Sequence, residues 1–470
     1  MSAVELDFDS CYRAVTARDA RFDGRFYTAV TSTHIYCRPI CPARTPASRN
    51  VRFYRHAAAA EAAGFRPCKR CRPELSPGDP GWNHRGDLIG RALRLIDEGV
   101  ADDGGIPRLA GRLHITERHL HRLFTAEIGV GPLAVARTKR LLLAKQLLTE
   151  TALSITDVAF ASGFGSVRQF NATMKETYGF TPGELRATAG RAGGTVADGS
   201  LTLRLHRREP YDSVTLLRFL RSRAIPGLEE VGETTYRRAV PGGTIALTPV
   251  PGHVRLEVNL DDTRHLARVV ARCRRLLDLD ADPDSIAVAF GETSLAPLVA
   301  ARPGLRVPGA WDGFEVAVRA VVGQQISVAG ARTILGRITA RAGRPTGGEG
   351  LSHLFPTAGE LLEADLDGLG LTGRRVTTLR ALARGVADGD IDLDGAQEPS
   401  HTVTRLLEVP GIGPWTASYI ALRALRDPDA WPEGDLGLRR VMACLGIPDD
   451  HIERWRPWRA YAALHLWSSE

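Results

Sequence analysis

Hydrophobic residues follow two different spacings along the chain, and each spacing predicts a different kind of element. In residues 84–188 they recur at helical spacing, and PLAVARTKRLLLAKQLLTE (132–150) is long enough for one rigid connecting helix. Residues 201–206 and 243–260 instead alternate between apolar and polar positions, which is typical of half-buried antiparallel strands. From Trp311 onward the pattern is helical almost throughout. We therefore predict a multidomain, mainly α chain with α+β parts.

Stretches rich in glycine and proline mark where this chain of 470 residues divides. SPGDPGWNHRGD (76–87) and AGRAGGTVADGS (189–200) read as joints, and RAGRPTGGEG (341–350) reads as a third loop. A chain of this length is too long for a single core. The predicted domains are a small α+β domain, paired helix-turn-helix units, an antiparallel-sheet α+β domain and a helical domain, at 1–78, 84–188, 200–300 and 301–470.

The second of these segments contains an internal repeat. IPRLAGRLHITERHLHRLFTAEIGVGP (106–132) is echoed by ITDVAFASGFGSVRQFNATMKETYGFTP (155–182), and both copies close on Gly-x-x-Pro. In each copy a short helix leads through a turn into a longer polar helix, which is the pattern of a helix-turn-helix unit. The longer helix is expected in the major groove of DNA, where its polar side chains can contact bases or phosphates. The candidates are Arg118, His121, Arg122, Arg168, Gln169 and Asn171.

The distribution of charge also favours a nucleic-acid partner. Residues 1–190 carry 27 Lys and Arg against 19 Asp and Glu, whereas the remainder carries 34 against 35. The basic excess therefore belongs to the first 190 residues. No apolar run reaches the ~18 residues that span a bilayer, and the acidic, interrupted start is not expected to be a secretory signal. We expect a cytoplasmic protein with no membrane partner, in which clustered cysteines indicate metal binding or catalysis.

Four of the seven cysteines form two close pairs, Cys37-x3-Cys41 in HIYCRPICPART and Cys68-x2-Cys71 in RPCKRC. These spacings suit a tetrahedral zinc ion, and on spacing alone a purely structural site is the simpler interpretation. Basic residues around the pairs favour contact with phosphate. They are Arg38, Arg44, Arg66, Lys69 and Arg70. The other cysteines, Cys11, Cys273 and Cys444, are expected to serve packing.

The strings FYTAVTSTHIYCRPICPAR and NVRFYRHAAAAEAAGFRPCKRC resemble the N-terminal domain of the Ada family of methyl phosphotriester methyltransferases. The resemblance implies that Cys37 is both a zinc ligand and the nucleophile that takes a methyl group from a methylated DNA phosphate. Zinc would keep this sulfur ionised, and the stable thioether product would limit the protein to one turnover. Methylation would also remove one negative charge from the site and so tighten DNA binding. Since the chain contains no Pro-Cys-His-Arg string, alkylguanine repair is not expected.

The repeat at 106–182 resembles the AraC family of transcription activators, most closely in its second copy. The partners that this implies are promoter DNA, in addition to alkylated double-stranded DNA, and RNA polymerase. A monomer is expected.

A glycine-containing turn in LLEVPGIGPWTASYIALR (406–423) joins two predicted helices, and Gly411 and Gly413 would let the backbone approach a phosphate. Such a turn alone is often only a helix stop. Together with WPEGDLGLRR, ARPGLRVPGAWDGFEVAVRAVVGQQISVAGA and WRPWRAYAALHLW, however, it resembles the helix-hairpin-helix DNA glycosylases of the AlkA type over roughly residues 201–470. In such turns a cation often binds the same phosphate as the backbone does, so a monovalent cation at this turn is a candidate second cofactor.

This resemblance implies that Asp435, rather than the nearby Glu433, stabilises the oxocarbenium ion that forms when the glycosidic bond breaks. Seen alone, an aspartate at a helix start would be read as an N-cap. The implied pocket for the flipped base is aromatic, which suits cationic alkylated purines, although aromatics at helical spacing are often core. Its residues are Phe219, Trp415, Tyr419 and Trp467. The wedge that fills the vacated base space falls on Gln325, beside Ile326, where leucine is common in the family.

Residues that the sequence lacks narrow the predicted activity and cofactors. Trp415 stands where strand-cleaving relatives carry a Schiff-base lysine, so base removal without strand cleavage is expected, and Cys444 alone cannot hold an iron–sulfur cluster. The main hypothesis is therefore one chain that accepts methyl groups on Cys37, activates transcription and excises bases such as 3-methyladenine. The alternatives are a purely regulatory damage sensor whose glycosylase-like region is inactive, and a glycosylase whose N-terminal segments only target it to DNA.

Overall fold

The computed structural model describes residues 6–79, 88–188 and 200–469. Much of the joints predicted at 76–87 and 189–200 lies outside these described residues. The chain forms two compact units, the first comprising Met1–Arg208 with Asp262–Ala271 and the second Glu209–Asp261 with Arg272–Glu470. Within the described ranges, no helix is long and apolar enough to cross a membrane.

The first unit begins with helix α1 (Phe8–Ala17), which is followed by a four-stranded sheet. Helix α2 (Ala57–Ala62) comes between the third and fourth strands along the chain. The strands are β1 (Tyr27–Val30), β2 (Ile35–Cys37), β3 (Val51–Tyr54) and β4 (Arg66–Pro67), in the order β3-β1-β2-β4. Strand β4 pairs in parallel with β2, so Tyr36 lies opposite Pro67. The ends of β2 and β4 are therefore side by side, and each leads into one of the cysteine pairs.

Among the described residues of the first unit, the next seven helices contain the sequence repeat. They are α3 (Leu88–Asp97), α4 (Val100–Arg112), α5 (Glu117–Ile128), α6 (Pro132–Glu150), α7 (Ile155–Ala161), α8 (Val167–Tyr178) and α9 (Pro182–Thr188). The core positions Leu120, Phe124 and Ile128 of α5 recur in α8 as Phe170, Met174 and Tyr178, and all six are buried. The predicted pair of helix-turn-helix units is thus confirmed, with α6 as the connecting helix.

Local sequence explains where the two longer helices of the repeat begin and end. The Thr116 side chain caps α5 by accepting from the His119 N–H, and Ser166 caps α8 in the same way. Both helices end at a glycine in the left-handed region, Gly129 with φ 90° and Gly179 with φ 76°. The glycine of each Gly-x-x-Pro motif is therefore a helix stop.

The first short helix of the repeat is the end of a longer helical stretch. Helix α4 spans Val100–Arg112, but Gly104 and Gly105 interrupt it with non-helical φ angles of −152° and 67°. Glycine has no Cβ, so Gly105 can adopt the left-handed φ at this kink. The part of α4 after the kink agrees with the short helix predicted from Ile106.

The second unit contains an antiparallel sheet of strands β6 (Glu229–Val231), β7 (Tyr236–Val240), β8 (Gly243–Val250) and β9 (His253–Leu260), in the order β9-β8-β7-β6. A tight hairpin joins β8 to β9, since Val250 pairs with His253. Alternate residues of β9 are buried, as the period-two pattern predicted for 243–260. The stretch 201–206, which belongs to the first unit, also forms a strand, β5 (Leu201–His206), with alternating burial.

The remaining helices are α10 (Ser213–Arg223), α11 (Leu266–Leu276), α12 (Pro283–Phe290), α13 (Ala296–Ala301), α14 (Gly313–Val322), α15 (Val328–Ala342), α16 (Ala358–Glu363), α17 (Gly373–Ala387), α18 (Pro399–Leu407), α19 (Pro414–Ile420), α20 (Leu436–Cys444) and α21 (Arg459–Trp467). Among the described residues after Trp311, the one β-bridge pairs Pro345 with His353, so the predicted helical character is confirmed. The helices after Trp311 share one hydrophobic core, and helix α14 belongs to it with nine of its ten residues buried.

Candidate zinc centre, DNA-binding helices and base pocket

The four paired cysteines come together at the ends of β2 and β4. The sulfur atoms of Cys37, Cys41, Cys68 and Cys71 all lie within 4.8 Å of one another. Backbone N–H groups support them, since Arg38 donates to the Cys71 sulfur at 3.3 Å. We call residues 6–79, which carry this cluster, the zinc fold.

The chemistry of the cluster fits a dication. Four adjacent thiols cannot all ionise by themselves, because a hydrogen bond with Cys41 raises the pKa of Cys37 while one with Cys37 lowers the pKa of Cys68. A bound dication would remove this conflict by stabilising all four thiolates together. Sulfur atoms this close can each lie ~2.3 Å from one tetrahedral zinc ion. The four-cysteine zinc site predicted from the spacing is therefore supported by the geometry.

The cysteines differ in how well a large substrate could reach them. Cys68 and Cys71 are buried, whereas Cys37 and Cys41 are partly exposed. Since Cys37 is the last residue of β2, its backbone is fixed by pairing with Thr28 of β1. The residue predicted to be the nucleophile is therefore partly exposed and held by the sheet.

The basic residues around the cluster divide into two kinds. Arg44, Arg66 and Arg70 are exposed, as expected for side chains that contact DNA phosphates. Arg38 is 7% exposed and forms an ion pair with the carboxylate of Asp23. Its guanidinium also donates to the carbonyl of Cys71 at 3.2 Å, so Arg38 braces the metal site instead of facing a phosphate.

We predict that Cys68→Ser reduces the zinc content from one ion per chain to less than half, because one of four ligands is lost from a buried position. The zinc fold should then melt at least about 5 °C lower, because metal binding contributes to its folding free energy. Metal analysis and calorimetry measure both effects. The matched control is Cys444→Ser, since Cys444 is exposed and lies outside the cluster. Full zinc retention by Cys68→Ser would contradict the four-ligand assignment.

The candidate DNA-contacting residues of the helix-turn-helix units are all exposed. Those of α5 are Arg118, His121 and Arg122, and those of α8 are Arg168, Gln169 and Asn171. The opposite faces of both helices are buried, so each presents one polar stripe to solvent. Arg122 also hydrogen-bonds the His119 ring at 3.0 Å, which orients its guanidinium along the helix surface.

In the second unit, α18 and α19 form the predicted helical hairpin. Gly411 in its turn has φ 93°, and a Cβ there would lie 2.2 Å from Thr378 Oγ1, so only glycine fits. A Cβ at Gly413 would contact nothing within 4 Å, which leaves the backbone open to a phosphate at the start of α19. Both glycines therefore suit the predicted role, for different physical reasons.

Asp435 is the N-cap of α20 and at the same time lines a deep cavity. Its Oδ1 accepts from the Leu438 N–H at 2.9 Å. The indole N–H of Trp415 donates to Oδ2 at 2.7 Å, and that of Trp467 donates to Oδ1 at 3.1 Å. Asp435 is therefore a helix N-cap, and this position is compatible with the catalytic role predicted for it. Glu433 is exposed and lies outside the lining of this cavity.

Two of the predicted pocket tryptophans thus fix the carboxylate, and we predict that Trp415→Phe and Trp467→Phe each slow base release about tenfold. Phenylalanine keeps an aromatic face but removes one charge-assisted hydrogen bond to Asp435. Single-turnover release of 3-methyladenine from methylated duplex DNA measures the effect. Trp431→Phe is the matched control, because Trp431 packs on Trp455 at a ring distance of 5.6 Å and lies outside the cavity lining. Equal effects in all three variants would show that aromatic packing alone is being measured.

The cavity beside Asp435 has a volume of about 830 Å³ and all four predicted pocket aromatics line it. This falls within the ~300–1,000 Å³ of typical ligand sites, so a flipped base fits. Trp415 stacks on Tyr419 with ring centroids 5.3 Å apart, and Trp467 meets Tyr419 edge-on at 6.4 Å. The structure therefore brings Phe219, Trp415, Tyr419 and Trp467 together around Asp435.

Arginines that were not predicted also line this cavity. The Arg223 guanidinium lies 3.8 Å above the ring of Phe219, so that face is occupied by the protein's own cation. Arg423 donates to the Tyr419 hydroxyl at 3.0 Å. Although burial alone would raise it, Arg423 and Arg223 hold the pKa of Tyr419 below its usual range. Arg423 follows Tyr419 by one helical turn, so the spacing in WTASYIALR could have indicated it.

The wedge position lies in a strained loop next to the hairpin. Gln325 is exposed and has φ 55°, which non-glycine residues rarely adopt. Its neighbour Gln324 donates to the Gly411 carbonyl at 3.0 Å and to Thr416 Oγ1 at 2.9 Å, so the loop is fastened to the hairpin. Ile326 lines the cavity. Gln324 was missed from the sequence because this contact spans nearly ninety residues.

Comparison with known proteins decides which family combines these three sites. A probable bifunctional transcriptional activator/DNA repair enzyme AlkA from Mycobacterium tuberculosis is 46% identical over 98% of this chain and 96% of that protein. This chain belongs to the family of Ada/AlkA-type bifunctional transcriptional activators and DNA repair enzymes. The two chains correspond over nearly their whole lengths, so this Ada/AlkA-type protein has the same combination of parts.

Shorter matches account for individual parts of the Ada/AlkA-type chain. The family described as the metal binding domain of Ada matches residues 10–74, a helix-turn-helix domain matches 109–188 and the AlkA N-terminal domain matches 202–312. DNA-3-methyladenine glycosylase 2 of Escherichia coli is 34% identical over 57% of this chain and 96% of that enzyme. The solved 3-methyladenine DNA-glycosylase of Archaeoglobus fulgidus shares the fold over 56% of this chain and 96% of its own, with a TM-score of 0.50 at 22% identity.

Proposed function

We propose that this chain repairs alkylated DNA by two separate reactions and uses the first to regulate transcription. It accepts a methyl group from a DNA methyl phosphotriester on Cys37, and it hydrolyses the glycosidic bond of alkylated bases such as 3-methyladenine with the help of Asp435. The observation that carries the proposal is a carboxylate held by two pocket indoles in a base-sized cavity, in a chain that also gathers four thiols.

The methyl transfer is a direct displacement. The Cys37 sulfur attacks the methyl carbon, the carbon–oxygen bond breaks, and its electron pair returns to the phosphate oxygen as an ordinary charged diester. Zinc bound by the four cysteines would supply an ionised sulfur at neutral pH. Arg44, Arg66 and Arg70 would hold the flanking phosphates. Because the thioether is stable, each chain reacts once.

The base excision uses a second, reusable site. As the bond to the base breaks, its electron pair leaves with the base and positive charge develops on the sugar, which the Asp435 carboxylate stabilises. Three fixed donors hold this carboxylate in place, so it need not reorganise during the reaction. Water then adds to the sugar, and a positioned carboxylate can orient it and accept its proton. Since Trp415 replaces a Schiff-base lysine, the strand stays intact.

The helix-turn-helix units give the first reaction its regulatory consequence. Loss of one negative charge at the zinc site weakens repulsion from the DNA backbone, so the methylated chain would bind its promoter more tightly. We propose that the chain then contacts RNA polymerase, acts as a monomer and works in the cytoplasm. The domain limits 1–78, 84–188, 200–300 and 301–470 and the cation at the hairpin turn stay predictions.

The rival function is a damage sensor in which the glycosylase region only binds DNA. The zinc-loaded full chain should be incubated with a molar excess of methylated duplex DNA, and free 3-methyladenine measured over time. We expect several bases released per chain, with strand breaks only after alkaline treatment of the abasic sites. No release from a folded, zinc-loaded chain would favour the rival. Strand breaks without alkali would contradict the assignment of Trp415.

A further inference from the structure

The helix that connects the two helix-turn-helix units has a buried polar face. Thr138 and Lys145 of α6 are each 2% exposed and lie two turns apart on the same side of the helix. A lysine is almost never this buried unless it is paired. The groups that pair with this face belong to the zinc fold, so the face identifies a docking surface within the first unit.

Glu61 of α2 is the first anchor of this surface. Its carboxylate accepts three hydroxyl hydrogen bonds, from Tyr36 at 2.9 Å, Thr138 at 2.6 Å and Tyr178 at 3.3 Å. Tyr36 immediately precedes Cys37 in β2, and Tyr178 is the last residue of α8. One buried carboxylate therefore joins the strand of the nucleophile, the connecting helix and the second DNA-binding helix.

Lys145 is the second anchor. Its ammonium lies 2.6 Å from Glu74 Oε2, with both side chains almost fully buried, and donates to the carbonyl of the zinc-site residue Cys68 at 3.1 Å. Arg72 extends the contact by donating to Glu150, near the end of α6, at 3.1 Å. If α6 shifted along the zinc fold, the buried ammonium of Lys145 would lose both of these acceptors.

Buried charge pairs contribute little net stability, but losing one partner of a pair is strongly destabilising. Such contacts therefore select one relative position of α6 and the zinc fold, while adding little to the free energy of unfolding. A docking surface made only of apolar side chains would tolerate small shifts, whereas this one satisfies all of its groups in a single position. The hydrogen bond from Tyr178 to Glu61 extends this arrangement to α8.

We infer that Glu61 and Lys145 are positioning residues that lock α8 onto the zinc fold, so that the methyl-accepting site and the second DNA-binding helix engage one DNA segment as a rigid body. The side chains of Glu61 and Lys145 are buried, so DNA cannot reach them without a change in the fold. Through Tyr36 and Glu61, a change at Cys37 such as methylation is transmitted to α8. The consequence for promoter binding rests on the proposed regulatory function, whereas the lock itself does not.

Hydrogen exchange on the full zinc-loaded chain tests the lock directly. In Glu61→Gln, the amides of residues 167–178 should exchange about tenfold faster than in the wild type, because the NH₂ group of glutamine cannot accept a hydrogen bond and the three hydroxyls would have one oxygen in place of two. Residues 117–128 should change less than about twofold, since none of the three hydroxyls belongs to α5. The matched control is Glu176→Gln, an exposed carboxylate on the same helix α8, which should leave the exchange at wild-type rates.

DNA binding supplies the second readout. The probe is the duplex that the wild-type chain selects from a randomised pool, compared with a scrambled duplex of the same composition. Glu61→Gln should lower the ratio of the two affinities about tenfold, because misorienting α8 affects base contacts more than phosphate contacts. Zinc content, methyl transfer to Cys37 and base release should stay at wild-type levels, which a general loss of folding would not allow.

Wild-type exchange in residues 167–178 together with a wild-type affinity ratio in Glu61→Gln would overturn the inference. If that variant does not fold, Tyr178→Phe decides instead, because it removes a single hydroxyl and should give about threefold faster exchange in α8. A wild-type chain that selects no duplex, but whose α8 loosens in Glu61→Gln, would keep the lock and refute the proposed regulation. The two failures are therefore distinguishable.

Discussion

Asp435→Asn is expected to slow the release of 3-methyladenine from methylated duplex DNA by at least about a thousandfold. Both oxygens of this carboxylate accept fixed hydrogen bonds, two of them from the indoles of the pocket. The other carboxylates that line the cavity, Glu229 and Glu315, are instead paired with arginines. A neutral amide would not stabilise positive charge on the sugar, and it would present an N–H₂ group to donors that need an acceptor. Single-turnover release over a time course measures the loss.

The asparagine variant separates chemistry from folding. Asparagine is as good an N-cap as aspartate, so helix α20 and the stability of the second unit should change by less than about 1 kcal/mol. Glu433→Gln provides the matched control, because Glu433 is exposed, two residues away and outside the cavity lining, and it should release bases at the wild-type rate. Substantial release by Asp435→Asn, or an equal loss in Glu433→Gln, would contradict the assigned role.

Cys37→Ser is expected to abolish methyl transfer while leaving base excision intact. A serine hydroxyl is far less nucleophilic than a metal-bound thiolate, so the transfer should fall by more than about a thousandfold. The glycosylase site is built from residues of the other compact unit, so 3-methyladenine release should stay at the wild-type rate. Methylation of DNA phosphates with labelled methyl groups and counting of protein-bound label measure the transfer.

In Cys37→Ser, loss of zinc would also abolish methyl transfer, even if Cys37 were not the nucleophile. The residue that carries the methyl group in the wild type must therefore be identified as well. Peptide mass spectrometry should find one methyl group on the peptide that contains Cys37. Cys41 is also partly exposed and therefore the informative alternative. Methyl groups on Cys41, Cys68 or Cys71 would contradict the assignment of the nucleophile, whereas an unmodified chain would reduce the cluster to a structural site.

Features with a local or periodic cause could be predicted from the sequence. The recurrence of Leu120, Phe124 and Ile128 as Phe170, Met174 and Tyr178 is a matter of helical spacing, and it yielded both helix-turn-helix units. The alternation in β9 predicted its half-buried face for the same reason. Close cysteine pairs indicated a metal because ligands at such spacings can reach one ion.

Features that depend on distant partners could not be predicted. Arg38 looks like its exposed neighbours Arg44 and Arg70 in the sequence, but Asp23 turns it inward. Lys145 sits in an ordinary helical pattern, and only the approach of Glu74 makes it a buried ion pair. The indole bonds to Asp435 depend on the geometry of three separate helices. Spacing along the chain carries no information about such contacts.

A single incubation can show whether one chain carries out both reactions. The zinc-loaded chain should be mixed with an excess of duplex DNA methylated on both phosphates and bases, and protein-bound methyl groups and free 3-methyladenine followed together. We predict that the methyl groups saturate at one per chain, on Cys37, while base release continues beyond one per chain. Base release without any methylated Cys37 peptide, or a methylated peptide without base release, would contradict the presence of both activities in this chain.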